Sequence, residues 1–307
     1  MRVMLDERSF ENFVKTRLKG RRVLVQLPEG LKPKIDRIAK ILEQSGYEVV
    51  ISMEPCYGAC DIRDEEAKRL GCDLVLHLGH KELVGKREVP MLVVYYPISI
   101  DVEIDVKKVA ERIREEKIGL VTTVQHEHLL AVWAKQIEEV GKKAIICGPI
   151  LGCDQRNALV HEKEVDCFLF VGSGRFHALG IRTKKPIYLY DVEKNELTNL
   201  DEDRRRWELI DFARKEAFRD AKRIGFLVSW KRWQVPAMEE LFALKKETER
   251  RGKEVLILAF DEIKNEKLLG MKLDLLVNFA CPRIKEDKFD VPIINKGDLE
   301  AILVKEG

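Results

Sequence analysis

The sequence predicts an α/β protein built from three homologous small α/β domains, whose parallel sheets are arranged pseudo-threefold around a central site. Short, continuously apolar segments alternate with helical segments, which is typical of parallel strands covered on both faces. The same order of elements occurs three times at intervals of about a hundred residues, as in an internal repeat. Linkers rich in proline, glycine or serine do not separate the repeats, so we expect the domains to pack around a shared centre.

The first repeat begins with an amphipathic helix at 6–19, in which apolar residues recur at helical spacing. A strand at 22–27, a turn at 28–30 and a helix containing Ile35, Ile38 and Leu42 follow. The next strand, at 47–53, leads into a loop containing Cys60, and further strands are predicted at 73–79 and 90–95. Alternating apolar residues at 98–106 predict an extra strand or a subunit contact.

The second and third repeats follow the same order. We predict helices at 106–116, 129–140, 204–223 and 237–251. Strands are predicted at 118–121, 144–147, 167–172, 186–190, 224–228, 254–258, 274–279 and 292–294. The expected domains are therefore 1–100, 101–200 and 201–307, which contain Cys60, Cys153 and Cys281 respectively.

Composition narrows the class of protein. The chain has 307 residues, a net charge of +2 and 35% charged residues. This charge balance gives no reason to expect nucleic acid or an anionic membrane as the main partner. No apolar run approaches the roughly 20 residues that span a bilayer, and the first residues lack the apolar core of a signal peptide. We therefore expect a cytoplasmic protein, in which seven cysteines indicate a metal site or core thiols rather than disulfides.

The cysteines fall into two groups. Cys72, Cys147 and Cys167 lie at or inside apolar strand patterns, where a thiol behaves as a small hydrophobic group. Cys60, Cys153 and Cys281 instead follow predicted strands, at the edge of a parallel sheet where ligands bind. Three converging thiolates suit either Zn²⁺ with a fourth ligand or a 4Fe–4S cluster with one open iron. Buried thiols without a ligand role are a third interpretation.

Cys56 complicates this assignment because its Cys-x-x-x-Cys spacing to Cys60 resembles the start of the cluster loop in ordinary radical S-adenosylmethionine enzymes. The third cysteine of that loop is replaced by Arg63. The loop of those enzymes is therefore absent, and Cys56 is a weaker ligand candidate than Cys60.

Five sequence motifs are spread across all three repeats: Leu27-Pro28-Glu29-Gly30-Leu31, Pro55-Cys56-Tyr57-Gly58-Ala59-Cys60-Asp61, Gly152-Cys153-Asp154, Val171 to Gly180, and Asn278-Phe279-Ala280-Cys281-Pro282-Arg283. Together these motifs resemble the archaeal 2-(3-amino-3-carboxypropyl)histidine synthases of diphthamide biosynthesis.

The resemblance implies a transferase with a 4Fe–4S cluster held by Cys60, Cys153 and Cys281 and with S-adenosylmethionine at the open iron. It implies cleavage between sulfur and the methionine γ-carbon, giving a 3-amino-3-carboxypropyl radical. This radical adds to imidazole C2 of a histidine on translation elongation factor 2. The resemblance further implies a homodimer and an electron donor for the cluster.

Other residues in loops after predicted strands are candidates for the S-adenosylmethionine pocket. Gly172, Ser173 and Gly174 would let the backbone approach a ligand closely, although a tight turn explains them equally well. His177 follows them and has either a ligand or a structural hydrogen bond. The remaining candidates are loop residues that alternatively face solvent: Glu29, Gln125, His126 and Trp230.

Two rival functions remain open from the residues alone. The same cysteines suit a zinc-dependent or structural-zinc α/β protein, and three α/β modules suit a non-catalytic scaffold that binds a translation factor. Iron and sulfide analysis under anaerobic conditions separates the first rival from an iron–sulfur enzyme. Cleavage of S-adenosylmethionine under reducing conditions separates the second.

Overall fold

The fold is described from a computed structural model, which covers residues 2–3, 6–82 and 91–305. The strands are β1 (Arg2–Val3), β2 (Arg22–Gln26), β3 (Glu48–Ile51), β4 (Leu74–Leu78), β5 (Leu92–Tyr96), β6 (Ile100–Asp101), β7 (Lys117–Thr122), β8 (Lys143–Pro149), β9 (Cys167–Gly172), β10 (Ile187–Asp191), β11 (Glu196–Asn199), β12 (Arg223–Ser229), β13 (Glu254–Phe260), β14 (Leu275–Asn278) and β15 (Ile293–Asn295).

The helices alternate with these strands. They are α1 (Glu7–Arg17), α2 (Ile35–Gln44), α3 (Asp64–Arg69), α4 (Val106–Glu111), α5 (Leu130–Glu138), α6 (Arg156–Val160), α7 (Phe176–Leu179), α8 (Asp201–Asp220), α9 (Met238–Arg250) and α10 (Lys296–Lys305). Short 3₁₀ turns occupy Glu29–Lys34, Val124–Leu129, Asn265–Leu268 and Pro282–Glu286.

The larger sheets confirm the predicted fold class of three parallel-sheet α/β units. Their strand orders are β3-β2-β4-β5, β8-β7-β9-β10-β11 and β13-β12-β14-β15. In each repeat the first strand therefore lies between the second and the third. The pairs of these three strands are parallel in every repeat. Ligands of open α/β sheets bind beyond the carboxyl ends of strands at such a reversal of strand order.

Continuous burial explains why the strands could be predicted. Residues 23–26 of β2, 118–122 of β7 and 224–229 of β12 are all buried, because helices cover both faces of a parallel sheet. The helices contribute amphipathic faces. In α2, for example, Ile38, Ile41 and Leu42 are buried against the first sheet, and Gly46 with φ of 89° follows the end of this helix.

An aspartate before the third strand fastens the amino end of the first strand in every repeat. The Asp73 carboxylate accepts hydrogen bonds from the Arg21 and Arg22 amides at 2.6 and 2.9 Å. Asp166 accepts from the Lys117 amide at 3.0 Å. Asp274 accepts from the Lys222 and Arg223 amides at 2.9 and 2.8 Å. The backbone amides hold the pKa of Asp73 and Asp274 below the usual range. We call these contacts the aspartate clasps.

Some element boundaries differ from the prediction. Helix α4 ends at Glu111, because the chain must turn before β7 begins at Lys117. Helix α8 begins at Asp201, and three acidic residues occupy its first turn, where they interact favourably with the helix dipole. Within the alternating segment 98–106, only Ile100–Asp101 forms a strand, which pairs antiparallel with β1. The first residue of the strand predicted at 90–95 lies outside the described residues.

The described chain separates into two compact units. Unit one comprises Met1–Ile150, Arg156–Ser173 and Leu189–Leu197, and unit two comprises Leu151–Gln155, Gly174–Tyr188 and Thr198–Gly307. The expected domain boundaries near residues 100 and 200, and the pseudo-threefold arrangement around one centre, stay predictions. In the described part of the chain, no helix is both long and apolar enough to cross a membrane.

Candidate functional site

A loop after β3 carries Cys60 and is fastened to the sheet by a buried glutamine. This segment, residues 52–61, is called the Cys60 loop. Gln26 is completely buried at the end of β2, and its side-chain amide donates to the Asp61 carbonyl. Its amide oxygen accepts from the Arg63 backbone at 3.1 Å. One side chain of the central strand therefore fixes the chain directly after Cys60, which is itself half-buried.

Replacing Gln26 by leucine is expected to destabilise unit one, because both hydrogen bonds to the segment after Cys60 are lost. A buried polar group that loses its partner costs about 1–3 kcal/mol, so we expect a loss of a few kcal/mol in the free energy of unfolding. Urea denaturation measures it. The exposed Gln44 at the end of α2 provides a control, and equal stability of Gln26→Leu and Gln44→Leu would contradict this role.

Cys153 lies in a tight turn of unit two that is held by a histidine. Leu151 and Asp154 form an isolated antiparallel bridge across the turn, residues 151–154, which we call the Cys153 turn. The Gly152 amide donates to His177 Nδ1 at 2.9 Å, so the proton of a neutral His177 lies on Nε2. Burial, with the positive charge of Arg283, lowers the pKa of His177 to about 4. His177 is therefore a neutral hydrogen-bond acceptor at neutral pH.

Two glycines allow α7 to lie directly against the Cys153 turn. A Cβ atom on Gly180 would be 2.7 Å from the Gly152 carbonyl oxygen and 2.9 Å from its Cα. A Cβ atom on Gly152 would collide with the Phe176 ring. The close approach of the backbone is what brings His177 within hydrogen-bond distance of the amide beside Cys153.

Cys281 follows β14 and is oriented by an asparagine. Asn278 Nδ2 donates to the Cys281 carbonyl and to Asn295 Oδ1, both at 2.9 Å, and its Oδ1 accepts from the Ala280 amide at 3.0 Å. Cys281 is the residue before the 3₁₀ turn Pro282–Glu286. The buried Asn278 therefore plays the same part for Cys281 that Gln26 plays for the Cys60 loop.

The thiols of Cys153 and Cys281 interact within unit two. Burial raises the pKa of Cys281, and the negative charge of Cys153 raises it further, whereas the Arg283 backbone amide lowers it. Two thiolates that are close enough to repel each other can both be ligands of one cation or cluster, since ligation removes the thiol proton. An amide donating to a cluster-bound sulfur would also adjust its potential.

The donor chemistry fits an iron–sulfur cluster. Cys60 and Cys281 are half-buried, Cys153 is exposed, and none of the seven cysteines forms a disulfide. Thiolates are the usual ligands of 4Fe–4S clusters. Cys60 belongs to unit one and the other two belong to unit two, so the convergence of all three thiols stays a prediction.

The cysteines expected in the core are buried. Cys72, Cys147 and Cys167 are at most 7% exposed. Burial raises the pKa of Cys147 to about 12 and raises the pKa of Cys72 as well. Such thiols remain protonated at neutral pH and are poor ligands.

The structure places Glu29 and Gln125 on loops that meet at Gly79 in unit one. Gln125 Nε2 donates to the Gly79 carbonyl at 3.1 Å, and a Cβ on Gly79 would be 3.1 Å from the Pro28 ring. Glu29 is exposed, and its carboxylate forms an ion pair with the Lys32 ammonium group at 2.5 Å. The same ammonium group donates to the Met53 carbonyl at 2.7 Å. These contacts connect the Glu29 turn to the start of the Cys60 loop.

The remaining candidates have different environments. Gly172 ends β9 and accepts at its carbonyl from the Val192 amide at 3.1 Å, and Ser173 is partly exposed. Gly174 adopts φ of 73°, a conformation that favours glycine.

The last two candidates are His126 and Trp230. His126 is buried and hydrogen-bonded through Nδ1 to the Ile100 carbonyl at 2.8 Å, which is a structural contact. Trp230 is 60% exposed.

Three buried polar residues at strand ends were not predicted as site residues: Gln26, His77 and Asn278. Each directly follows a run of buried apolar side chains in its strand. A polar residue that interrupts a buried strand needs a hydrogen-bond partner. This interruption, at the carboxyl end of the strand, could have indicated all three residues.

Comparisons with known proteins agree with the sequence resemblance. Residues 27–307 match the model of a family described as diphthamide synthesis proteins. The 2-(3-amino-3-carboxypropyl)histidine synthase of Pyrococcus horikoshii is 32% identical over 94% of this chain and 87% of that protein. The synthase of Methanocaldococcus jannaschii is 29% identical over 92% of this chain and 82% of its own length.

Solved structures extend the similarity to three dimensions. The crystal structure of Dph2 from Pyrococcus horikoshii aligns with a TM-score of 0.85 and 29% identity, covering 99% of this chain and 91% of that chain. A second structure of that protein, with a 4Fe–4S cluster, aligns with a TM-score of 0.84 and 28% identity, and the alignment again covers 99% of this chain and 91% of that chain. The fold of this chain is thus similar to that of a protein whose crystal structure contains a 4Fe–4S cluster.

Proposed function

Because the chain belongs to the family of diphthamide synthesis proteins, we propose that it transfers the 3-amino-3-carboxypropyl group of S-adenosylmethionine to a histidine of translation elongation factor 2. The acceptor atom is imidazole C2, and the reaction is the first step of diphthamide biosynthesis. The expected domains, 1–100, 101–200 and 201–307, each supply one thiol.

The observation that carries this proposal is that Cys153 and Cys281 both lie in unit two, on backbone held by neighbouring polar side chains. The negative charge of Cys153 raises the pKa of Cys281, and His177 and Asn278 fix the backbone on which the two cysteines lie. With Cys60 they form the donor set for a 4Fe–4S cluster. A cluster in the similar Pyrococcus horikoshii structure supports this assignment.

The bound cluster supplies the electron that cleaves the bond between sulfur and the methionine γ-carbon, giving a 3-amino-3-carboxypropyl radical and 5′-methylthioadenosine. The protein's part is to orient S-adenosylmethionine so that the γ-carbon, rather than the adenosine 5′-carbon, faces the cluster. Glu29, Gln125, Gly172, Ser173, Gly174 and His177 are the residues that we assign to this pocket.

The pocket residues differ in charge and in what they can do. Glu29 is an exposed carboxylate that can pair with the amino group of the substrate. Because His177 Nδ1 accepts from the Gly152 amide, the proton of the neutral ring lies on Nε2, the nitrogen that would donate to the substrate. The glycines allow the adenosine to approach the backbone. These groups position the substrate and need not exchange a proton with it.

The proposed partners follow from the same reaction. Elongation factor 2 is the protein substrate, and an electron donor must reduce the cluster before each turnover. A homodimer in the cytoplasm is the proposed form of the protein, without direct contact to nucleic acid or membrane.

The small product tests the function. Anaerobically reconstituted protein, reduced with dithionite and mixed with S-adenosylmethionine and elongation factor 2, is expected to form 5′-methylthioadenosine. Chromatography measures this product, and mass spectrometry detects the gain in mass at the target histidine of elongation factor 2. Positioning decides which bond breaks, since the electron comes from the same kind of cluster as in ordinary radical enzymes.

Two controls accompany this experiment. Elongation factor 2 with the target histidine replaced by glutamine should gain no mass, and protein without iron should form no methylthioadenosine. If 5′-deoxyadenosine is the main product, the mechanism is wrong even when the cluster is present.

A further inference from the structure

A cysteine and two histidines meet in unit one, apart from the residues assigned to the cluster. Cys56 lies in the Cys60 loop, His77 lies in β4, and His80 follows that strand. Cys56 Sγ is 3.8 Å from His77 Nε2, and His77 Nε2 is 2.9 Å from His80 Nδ1. One donor atom from each residue lies within 4.8 Å of the other two.

The separations of the Cys56–His77 and His77–His80 pairs are close to those of a tetrahedral metal site, and the donor atoms of Cys56 and His80 lie within 4.8 Å of each other. With Zn–N near 2.0 Å and Zn–S near 2.3 Å, two tetrahedral ligands are about 3.3 Å apart for nitrogen pairs and about 3.5 Å apart for nitrogen and sulfur. The His77–His80 pair would have to open slightly, and the Cys56–His77 pair would have to close slightly. Rotation of side chains can supply such shifts without a change of backbone.

The histidines are in the protonation state that binds a metal. Burial lowers the pKa of His77 to about 3, and the neighbouring His80 lowers it in the same direction. Burial also lowers the pKa of His80 to about 4. Both rings are therefore neutral at neutral pH, and a neutral imidazole is the metal ligand. The proximity of the three donor atoms is a separate observation, which rests on the distances between them.

His77 has an unusual environment for a histidine in a core. Its side chain is fully buried, yet Nδ1 has no hydrogen-bond partner among the residues that the structure describes. Its ring packs 5.0 Å from that of Tyr95. A buried ring nitrogen without a partner is costly. With a metal ion on Nε2, the ring proton of His77 would lie on Nδ1.

We propose that Cys56, His77 and His80 form a binding site for a divalent transition-metal ion of the zinc class. One thiolate and two imidazoles suit Zn²⁺ and its neighbours and do not suit Mg²⁺ or Ca²⁺, which prefer oxygen. Three protein ligands leave a fourth position for water or another small ligand.

The ion would connect the Cys60 loop to β4. Cys56 belongs to the loop and both histidines belong to the strand or its end, so a shared ion closes a link between them. The Tyr95 hydroxyl already donates to the carbonyl of Ala59 at 3.2 Å, the residue directly before Cys60. The loop would then be held at both Cys56 and Ala59. This site does not rest on the proposed function.

Co²⁺ is the probe for this site, because it replaces Zn²⁺ and its visible spectrum reports tetrahedral geometry and thiolate ligation. The full-length variant with Cys60, Cys153 and Cys281 all replaced by alanine is titrated, so that these thiols cannot bind Co²⁺. We expect one Co²⁺ per chain, with a band from charge transfer between sulfur and cobalt. Replacing Cys56 by serine or His80 by glutamine in this background should weaken binding by at least about a hundredfold.

Matched controls use the same residue types in the same unit. Cys72→Ser changes a buried cysteine outside the site, and His128→Gln changes a histidine bonded to Asp101 at 2.7 Å. Neither should alter the Co²⁺ spectrum. Failure of the triple variant to bind Co²⁺, or unchanged binding after both Cys56→Ser and His80→Gln, would overturn the proposal.

A thermal measurement covers the case in which one variant folds poorly. Zn²⁺ should raise the midpoint of thermal unfolding of the triple variant, because an ion that binds only the folded state stabilises it. His80→Gln changes a partly exposed side chain, and this variant should fold but lose the Zn²⁺-dependent shift. If Zn²⁺ raises the midpoint of thermal unfolding equally in the triple variant and in its His80→Gln derivative, the proposed site is wrong.

Discussion

Replacing Cys60, Cys153 or Cys281 by alanine, one at a time, is expected to remove or degrade the 4Fe–4S cluster and to abolish formation of 5′-methylthioadenosine. The proposed site uses three thiolates and has no spare protein ligand. We expect activity to fall to the background of the cluster-free protein. Iron and sulfide analysis after anaerobic reconstitution, together with visible absorption, measures the loss of the cluster.

Alanine at Cys72 or Cys167 provides the control, because these thiols are buried in the core. Such variants should keep the cluster at the wild-type iron content. A stability loss of about 1 kcal/mol would be ordinary for a small core truncation. Full clusters in all three of the first variants would refute the ligand assignment.

Replacing Gly180 by alanine is expected to have the second large effect, through the position of Cys153. The added Cβ would lie 2.7 Å from the Gly152 carbonyl oxygen, and backbone atoms cannot rotate away as a flexible side chain can. Helix α7 must move, and the hydrogen bond from the Gly152 amide to His177 is lost. Overpacking costs about 1–3 kcal/mol, and displacement of the thiol should lower the iron content to less than half.

Gly297→Ala is the matched control in the same unit. A Cβ on Gly297 would meet only Glu300 Oε2, at 4.0 Å, and alanine favours the helix by up to about 1 kcal/mol. Chemical denaturation and iron analysis of both variants separate a general effect of alanine from the specific collision. Wild-type stability and iron content in Gly180→Ala would contradict the role of this close approach.

The sheets could be predicted from the sequence because burial on both faces leaves a continuous apolar segment. Val23, Ile118 and Ile224 each start such a segment and are fully buried. Helix ends were harder to predict, because the amphipathic pattern persists where the chain turns toward the next strand. Ile113, for instance, is buried after α4 has ended at Glu111.

The candidate thiols could also be found, since a cysteine in a loop after an apolar strand differs visibly from one inside it. Their supporting residues could not. Gln26 acts on residues more than thirty positions away, and His177 contacts Gly152 across 25 positions. Such contacts depend on tertiary structure, which spacing along the chain does not encode. The meeting of Cys56 with His77 and His80 was missed for the same reason.

The aspartate clasps lie at the amino ends of the strands, whereas the candidate thiols follow the carboxyl ends. Within each repeat, selection for a stable sheet and selection for chemistry therefore act on different residues at opposite edges. The aspartate at the amino ends of the strands can be kept while the sequences of the loops at the carboxyl ends change. That separation allows the thiol to follow the second strand in two repeats and the third strand in the last without any change in strand order.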